Sequence, residues 1–267
     1  MNAQELLTHY DSGACWPESP SLDTNYLHSD AYSQALAVRS LRVARGEIPV
    51  GYKVGFTNKS IWDLYKVYSP MWGTVWDTTL VAGGELEAQL SLAHICQPRI
   101  EPEIVFGFKS TPKLDASLDN LYESIEWIAP GFEIVQSHRP GWKFTAAETI
   151  LDSGLHARLG IGKRFPIKSV SSSAKNLIES LSNSQARLFK EGKCVESGPG
   201  SNVLDSPLQA LHYFLKELRA CPGATDIKAG DIVTTGTWTD AWPVSPGESW
   251  AVEFSFENFK YKLNFVD

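Results

Sequence analysis

The sequence predicts an α+β fold, with a smaller helical N-terminal portion followed by a strand-rich remainder. Three observations support this class. Residues 29–45 have a helical pattern, whereas from about residue 85 the chain reads as mostly strand. In the last stretch, apolar residues alternate with polar ones on both sides of Glu257-Asn258, which is typical of an antiparallel hairpin with one buried face. We place the boundary between residues 1–76, which include a lid and the Lys53 strand, and residues 77–267, the predicted catalytic domain.

Composition and charge exclude several classes of protein. The chain has 267 residues and a net charge of −7, without a Lys/Arg cluster, so we expect no nucleic-acid partner. No apolar run is long enough to span a bilayer, and the N-terminus does not read as a signal peptide. The four cysteines are far apart and form no CxxC motif, which disfavours a zinc site or a disulfide framework. These observations predict a cytoplasmic protein with no membrane partner.

The first elements are a helix and a strand. Ser29-Asp30 is a suitable cap for a helix that ends near Gly46. Residues 50–56 then alternate in period two, so that Lys53 lies between two glycines on one face of a strand. The glycines leave space around the lysine for a ligand. The alternative is an exposed lysine on an ordinary strand.

The remaining elements follow from capping, periodicity and turn signals. Residues 57–73 are irregular and aromatic, and we interpret them as a loop that covers a pocket. The pattern then predicts a short helix at 121–128, a strand at 130–135 and a hairpin around 191–193. Two further helices begin after Ser173 and at Ser206-Pro207.

Two acidic residues interrupt an apolar strand at residues 99–106. Glu101 and Glu103 are two residues apart, so an extended strand directs both side chains to the same face. Neighbouring carboxylates repel each other and are costly to desolvate, and a divalent cation removes both problems. The alternative is an edge strand with two solvated glutamates, in which Pro102 prevents further pairing.

Four motifs in this order resemble a known family: residues 51–55 (GYKVG), 101–103 (EPE), 131–135 (GFEIV) and 230–236 (GDIVTTG). The chain resembles the 2-keto-4-pentenoate hydratase and 4-oxalocrotonate decarboxylase branch of the fumarylacetoacetate hydrolase superfamily. The resemblance extends from about residue 30 to the end. It implies a mixed β-roll core behind the small helical N-terminal portion.

The resemblance also implies a metal site and an active-site lysine. Glu101, Glu103 and Glu133 match the three carboxylates that hold Mg²⁺ or Mn²⁺ in that branch. Lys53 matches the lysine of the active site, and we expect a nearby dication to lower its pKa so that it acts as an acid or base.

Further candidates are less firmly tied to the family pattern. Asp77 and Asp152 match acidic residues of the family, although such residues more often orient other groups or cap turns. The segment after Asp152 departs from the familiar hydratases and introduces His156 as a possible acid or base and Arg158 as a possible anion contact. The alternative for His156 is a core histidine. Thr237 either binds a substrate carboxylate or only ends a strand.

The resemblance leads to a functional expectation. We expect a metal-dependent lyase that hydrates a 2-hydroxy-2,4-dienoate to a 4-hydroxy-2-oxo acid in the catabolism of aromatic compounds. Its partner is a small 2-oxo acid substrate, and the resemblance implies a homo-oligomer. Alternatives on the same metal site are a decarboxylase of a 2-oxo-3-enedioate and an acylpyruvate hydrolase. A third alternative is a non-catalytic paralogue that binds a 2-oxo acid or a partner enzyme.

Overall fold

The computed structural model of the chain describes residues 1–18 and 26–267. Within these residues, short helices surround two β-sheets. The helices are α1 (Ala3–Ser12), α2 (His28–Ala44), α3 (Trp62–Tyr65), α4 (Leu118–Ser124), α5 (Ala146–Leu151), α6 (Ile167–Val170), α7 (Ala174–Ser182) and α8 (Pro207–Ala220). The strands are β1 (Pro49–Gly55), β2 (Met71–Trp76), β3 (Glu87–Ser91), β4 (Arg99–Phe108), β5 (Ile125–Val135), β6 (His156–Ile161), β7 (Phe165–Pro166), β8 (Gln185–Lys190), β9 (Lys193–Pro199), β10 (Ile232–Thr234), β11 (Trp242–Pro243), β12 (Ser249–Phe254) and β13 (Lys260–Val266).

The two sheets are mixed. The larger sheet has the order β2-β1-β10-β4-β5-β6, with β11 paired to β4 and β7 paired to β5. The smaller sheet has the order β3-β13-β12-β8-β9. Each sheet contains one parallel pairing, β1 with β10 and β3 with β13, and its other strand pairs are antiparallel. The central strands β4 and β5 are almost completely buried, so the larger sheet forms the rigid floor on which side chains can be fixed.

The principal hydrophobic core contains residues of both sheets together with the apolar stripes of the helices. In the C-terminal hairpin, Trp250, Val252 and Phe254 alternate with partly exposed residues and are buried, as the period-two pattern predicts. On α8, the stripe of Leu208, Leu211, Leu215 and Leu218 is likewise buried. Burial of each such side chain stabilises the fold by about 1.5–3 kcal/mol relative to its exposure.

The N-terminal helices are tied to the larger sheet through Arg42. Its guanidinium carbon lies 4.5 Å from the ring centroid of Tyr10 and 4.4 Å from that of Trp76, and the side chain is ion-paired with Glu47. Strands on both sides of the boundary predicted between residues 76 and 77 take part in the larger sheet. That boundary stays a prediction.

The helix predicted at 121–128 ends at Ser124, and residues 125–128 belong to β5. Ile125 and Ile128 are buried and pair with Phe108 and Phe106 of β4. Pairing along a buried neighbouring strand therefore outweighs the local helical pattern. No helix among residues 1–18 and 26–267 is long and apolar enough to cross a membrane.

Candidate active site

Three carboxylates converge where β4 and β5 run antiparallel. Glu101 lies directly opposite Glu133 in the register, and Glu103 is two residues further along the same face of β4. Each residue offers a carboxylate oxygen, and these oxygens lie within 4.8 Å of one another. Glu103 and Glu133 are buried and Glu101 is partly exposed. Such a cluster could hold a metal ion.

Glu103 has one oriented and one free oxygen. Its Oε2 accepts a hydrogen bond from the hydroxyl of Thr234 and another from the backbone N–H of Gly236, at 2.7 Å. Its Oε1 is buried and has no hydrogen-bond partner among the described residues. A buried carboxylate oxygen without a partner is costly, and a cation would satisfy it. The donor set therefore fits a hard divalent cation.

Lys53 supplies the positive charge beside this cluster. It is buried on β1, and its Nζ lies 3.2 Å from Oε2 of Glu133. A Cβ at Gly55 would lie 3.4 Å from this Nζ, so the glycine keeps the space beside the amine open. Gly51 has a different role, because a Cβ there would lie 1.8 Å from the carbonyl oxygen of Ile232 on the paired strand.

Lys53, Glu101 and Glu103 have shifted pKa values in this cluster. Burial alone would lower the pKa of Lys53, but the negative charges of Glu133, Glu101 and Glu103 outweigh it and raise this pKa. The lowering expected beside a bound dication concerns the metal-loaded site and stays a prediction. Burial, followed by carboxylate repulsion, raises the pKa of Glu101 to about 7 and raises that of Glu103 well above its ordinary value.

His156 is a buried partner of Glu133. Its Nδ1 lies 2.8 Å from Oε1 of Glu133, and its Nε2 lies 2.8 Å from the hydroxyl oxygen of Thr79. Burial lowers the pKa of His156, so the ring is neutral at pH 7. Because the carboxylate can only accept, we place the ring proton on Nδ1, and Nε2 then accepts from Thr79. His156 thereby fixes the orientation of Glu133.

A cavity of about 310 Å³ opens above the cluster. Lys53, Glu101 and Thr237 contribute to its polar side. Its other side is aromatic and apolar, formed by Phe56, Ile61, Leu64, Tyr65, Met71, Trp142 and Phe144. Part of the predicted covering segment 57–73 thus lines the cavity. Polar groups in a largely apolar cavity are typical of a small-molecule site.

Thr237 lines the cavity, and its hydroxyl donates to the carbonyl of Thr239 at 2.9 Å.

Asp152 does not line the cavity. Its carboxylate accepts the backbone N–H of His138 at 2.7 Å and lies 2.5 Å from the Nδ1 of the same residue. His138 is completely buried, which agrees with a structural histidine. Asp152 therefore holds the segment that follows β5.

Asp77 and Arg158 do not line the cavity. Asp77 is exposed, and one of its oxygens accepts the backbone N–H groups of Ile48 and Thr78, each at 2.9 Å. Arg158 donates to the carbonyl of Ala157 at 2.8 Å. Geometry thus gives Asp77 a capping role at a turn, and it does not favour the anion contact expected of Arg158.

Sequence reasoning missed Thr79, Thr234, Arg99 and Trp142. Arg99 and Trp142 line the cavity, with the Arg99 guanidinium carbon 4.1 Å from the Trp142 ring centroid. Arg99 has the same period-two spacing as Glu101 and Glu103. This spacing predicts that its side chain lies on their face of the strand, so the sequence pattern could have identified it. Nothing local marks Thr79, because its partner His156 is 77 residues away in the chain.

Comparison with solved structures shows that the chain has the fumarylacetoacetate hydrolase fold. A 4-oxalocrotonate decarboxylase structure from Pseudomonas putida G7, complexed with magnesium and adipate, matches with a TM-score of 0.87 and 22% identity over 99% of this chain and 95% of that chain. Fumarylpyruvate hydrolase from Pseudomonas aeruginosa, in complex with Mn²⁺ and pyruvate, matches with a TM-score of 0.54 and 17% identity, over 80% of this chain and 88% of that chain. The predicted α+β class with a mixed β-roll core is confirmed.

Sequence relatives give the family. A 2-hydroxyhexa-2,4-dienoate hydratase of Comamonas testosteroni is 30% identical over 82% of this chain and 79% of its own length. A 4-oxalocrotonate decarboxylase of a Pseudomonas species is 27% identical over 92% of this chain and 90% of its own length. No family model matches the chain. The chain belongs to the fumarylacetoacetate hydrolase superfamily, in the branch of 2-keto-4-pentenoate hydratases and 4-oxalocrotonate decarboxylases, as its motifs predict.

Proposed function

We propose that this chain is a divalent-metal-dependent hydratase that adds water to a 2-hydroxy-2,4-dienoate and yields a 4-hydroxy-2-oxo acid. The observation that carries the proposal is the convergence of Glu101, Glu103 and Glu133 beside the buried Lys53. Glu101 and Lys53 line the cavity. The 30% identity to a 2-hydroxyhexa-2,4-dienoate hydratase supports this choice of reaction. The step belongs to the catabolism of aromatic compounds.

The proposed cofactor is Mg²⁺ or Mn²⁺, held by Glu101, Glu103 and Glu133. The partnerless Oε1 of Glu103 supports this, as do the magnesium and Mn²⁺ bound in the two structures described above. An ion held by these residues would supply Lewis acidity toward the 2-oxo acid group of the substrate. Thr234 and the N–H of Gly236 hold Glu103, and His156 holds Glu133, so both carboxylates are oriented before a ligand arrives.

Lys53 is the proposed proton donor. Hydration places hydroxide on C4 and protons on C5 and C3 of the dienoate, while the enol oxygen loses its proton. Lys53 lines the cavity, and the negative charges of Glu133, Glu101 and Glu103 raise its pKa. Its ammonium group can therefore deliver a proton to the carbon skeleton and recover it from water or the enol hydroxyl.

The other predicted residues take supporting roles in this proposal. Thr237 lines the cavity and binds the substrate carboxylate. His156 and Asp152 are positioning residues, because His156 acts through Glu133 and Asp152 holds His138. We assign no catalytic role to Asp77, since its carboxylate caps a turn at the surface.

The leading alternative reaction is decarboxylation of a 2-oxo-3-enedioate on the same site. It is favoured by the 27% identity to a 4-oxalocrotonate decarboxylase over 92% of this chain. A non-catalytic paralogue is disfavoured, because a scaffold gains nothing from three clustered carboxylates and a lysine whose charges must be buried.

We further propose a cytoplasmic homo-oligomer. The family resemblance supports assembly, and the large apolar side chain of Tyr68 is exposed and available for contacts between subunits. Light scattering coupled to size-exclusion chromatography tests the assembly directly. A monomer at micromolar concentration would contradict it.

Metal-dependent turnover tests the function. The protein is stripped with chelator, reloaded with Mg²⁺ or Mn²⁺, and given 2-hydroxypenta-2,4-dienoate, a 2-oxo-3-enedioate or an acylpyruvate, with Glu103→Gln as control. We expect metal-restored loss of dienoate absorbance without CO₂ release, abolished in the variant. Release of CO₂ from the dioate would replace hydration by decarboxylation. Turnover of none of the three would refute the enzyme proposal.

A further inference from the structure

A small cavity lies between α2 and β2, the edge strand of the larger sheet. Residues of these two elements form most of its wall, and Ile150 and Ser153 complete it. Among the residues that the structure describes, it shares no lining residue with the cavity above the carboxylate cluster. Its volume of about 20 Å³ is enough for one particle of the size of a water molecule or a halide ion. It is therefore separate from the site of the proposed reaction.

Two arginines of α2 line this cavity. Arg39 and Arg42 are three positions apart, so their side chains emerge on the same face of the helix. Arg42 is ion-paired with Glu47 through its Nε. The charge of Arg39 acts on Asp231, but no carboxylate of residues 1–18 and 26–267 lies within ion-pair distance of this guanidinium. Since no aspartate or glutamate of the same residues lines the cavity, its wall carries a net positive charge.

The lining side chains also offer hydrogen-bond donors without acceptors. Among the described residues, Nε of Arg39, Nη1 of Arg42 and Nε1 of Trp72 are buried and have no hydrogen-bond partner. Arg42 and Trp72 are only 2% and 4% exposed, so bulk water does not compensate them. All of these nitrogens can only donate, and a buried donor without an acceptor is costly. A water molecule would also need acceptors for its own hydrogens, whereas an anion only accepts.

We propose that Arg39 and Arg42 bind a monatomic anion, chloride, in this cavity. The ion offsets the repulsion between the two guanidinium groups and accepts hydrogen bonds from donors that otherwise have no partner. Because these donors belong to α2 and β2, the bound ion fastens the helix to the edge of the larger sheet. The small volume favours a monatomic ion over an organic anion. The site is independent of the proposed reaction, since it requires neither the dication nor a substrate.

The chloride dependence of thermal melting tests this site. Chloride is varied from about 1 to 200 mM and replaced by gluconate, so that the ionic strength and the screening of surface charges stay constant. Mg²⁺ is supplied as its gluconate salt throughout. The variants are Arg39→Gln and, as a matched control, Arg45→Gln. Arg45 carries the same charge at the end of α2, but it is exposed, pairs with Asp11 and does not line the cavity.

Bromide locates the ion directly in the wild type. Bromide has the charge of chloride and nearly its size, and it scatters X-rays anomalously. Crystals of the wild type soaked in sodium bromide should therefore show an anomalous peak between the guanidinium groups of Arg39 and Arg42. This measurement needs no variant and no turnover.

We expect the melting temperatures of the wild type and R45Q to rise by about 3–5 °C over this range of chloride, the effect of a ligand at roughly ten times its Kd. R39Q loses this rise. Equal melting of the wild type in chloride and gluconate, a rise retained in R39Q, or no bromide peak between the two arginines overturns the proposal. If R39Q does not fold, the chloride dependence of the wild type and the bromide peak decide it.

Discussion

The Nδ1 atom of His156 lies 2.8 Å from Oε1 of Glu133, and both residues are completely buried. Glu133 is at the same time the partner of Lys53, through its other oxygen. One carboxylate is therefore held from two sides, by a neutral imidazole and by an ammonium group. This explains how Glu133 is fixed on β5 opposite Glu101, although no backbone N–H of residues 1–18 and 26–267 donates to its carboxylate.

Replacement of His156 by leucine removes the group that orients Glu133, and we expect the affinity for Mn²⁺ to fall about 10- to 100-fold. Thr79→Val acts one step further away, because only the hydroxyl partner of Nε2 is lost, and its effect should be smaller. Thr78→Val is the matched control, since Thr78 is exposed. Calorimetric titration measures the affinities. An unchanged affinity in His156→Leu would show that Glu133 needs no such support.

Lys53→Met separates the structural role of the lysine from its chemical role. Without metal, the three clustered carboxylates lose their compensating charge in this variant. We therefore expect its free energy of unfolding to fall by about 3–5 kcal/mol. Mg²⁺ affinity should rise, because a like charge has left the site, while turnover is lost. Chemical denaturation with and without Mg²⁺, together with a turnover assay, tests the three effects. A fall in both metal affinity and turnover would contradict this account.

Local patterns predicted the parts of the fold that repeat over short distances. Alternation is a property of neighbouring residues, so it can be read locally. In the structure the C-terminal hairpin has the predicted alternating burial. Glu101 and Glu103 lie on the same face of β4, as predicted. The helix predicted to reach Ile128 was wrong at its end, because pairing with β4 extends β5 over residues 125–128.

Contacts between distant segments could not be predicted in this way. The pairing of β5 with β6 shifts in register between Ile134 and Val135 of β5. Because of this shift, His156 and Arg158 of β6 do not share a face as simple alternation would predict. Arg99 was missed for another reason. Its pattern was visible, but only the structure shows that the loop carrying Trp142 folds over it and that it lines the cavity.

The metal-free protein should lose stability as the pH rises. The pKa of Glu101 is about 7 in the folded protein and near its ordinary 4.5 in the unfolded chain. The folded state thus binds more protons in between, and the free energy of unfolding decreases from about pH 4.5 to 7. Mg²⁺ prefers the ionised carboxylates, so its stabilising effect should grow over the same range.

Denaturation curves between pH 5 and 7.5, with chelator or with Mg²⁺, measure this dependence. Glu101→Gln should weaken it, because the titrating carboxyl is gone. Glu126→Gln is a matched control, since Glu126 is an exposed residue of β5. The interpretation would be wrong if the metal-free wild type gained stability with rising pH, or if E126Q altered the dependence as much as E101Q.

Cys15 and Cys96 should form a disulfide on mild oxidation. Their sulfur atoms lie 3.5 Å apart although the residues are 81 positions apart, so the absence of a CxxC motif did not reveal them. A shift of about 1.5 Å reaches bonding distance. Oxidised glutathione would take up the two electrons and two protons of the thiols, and the closed loop should stabilise the fold by about 2–4 kcal/mol.

Mass spectrometry and thermal melting test this against Cys15→Ser and the exposed Cys194→Ser. The loss of two hydrogens must occur in the wild type and C194S but not in C15S, and a wild type that stays fully reduced would show that the two thiols do not approach each other in solution.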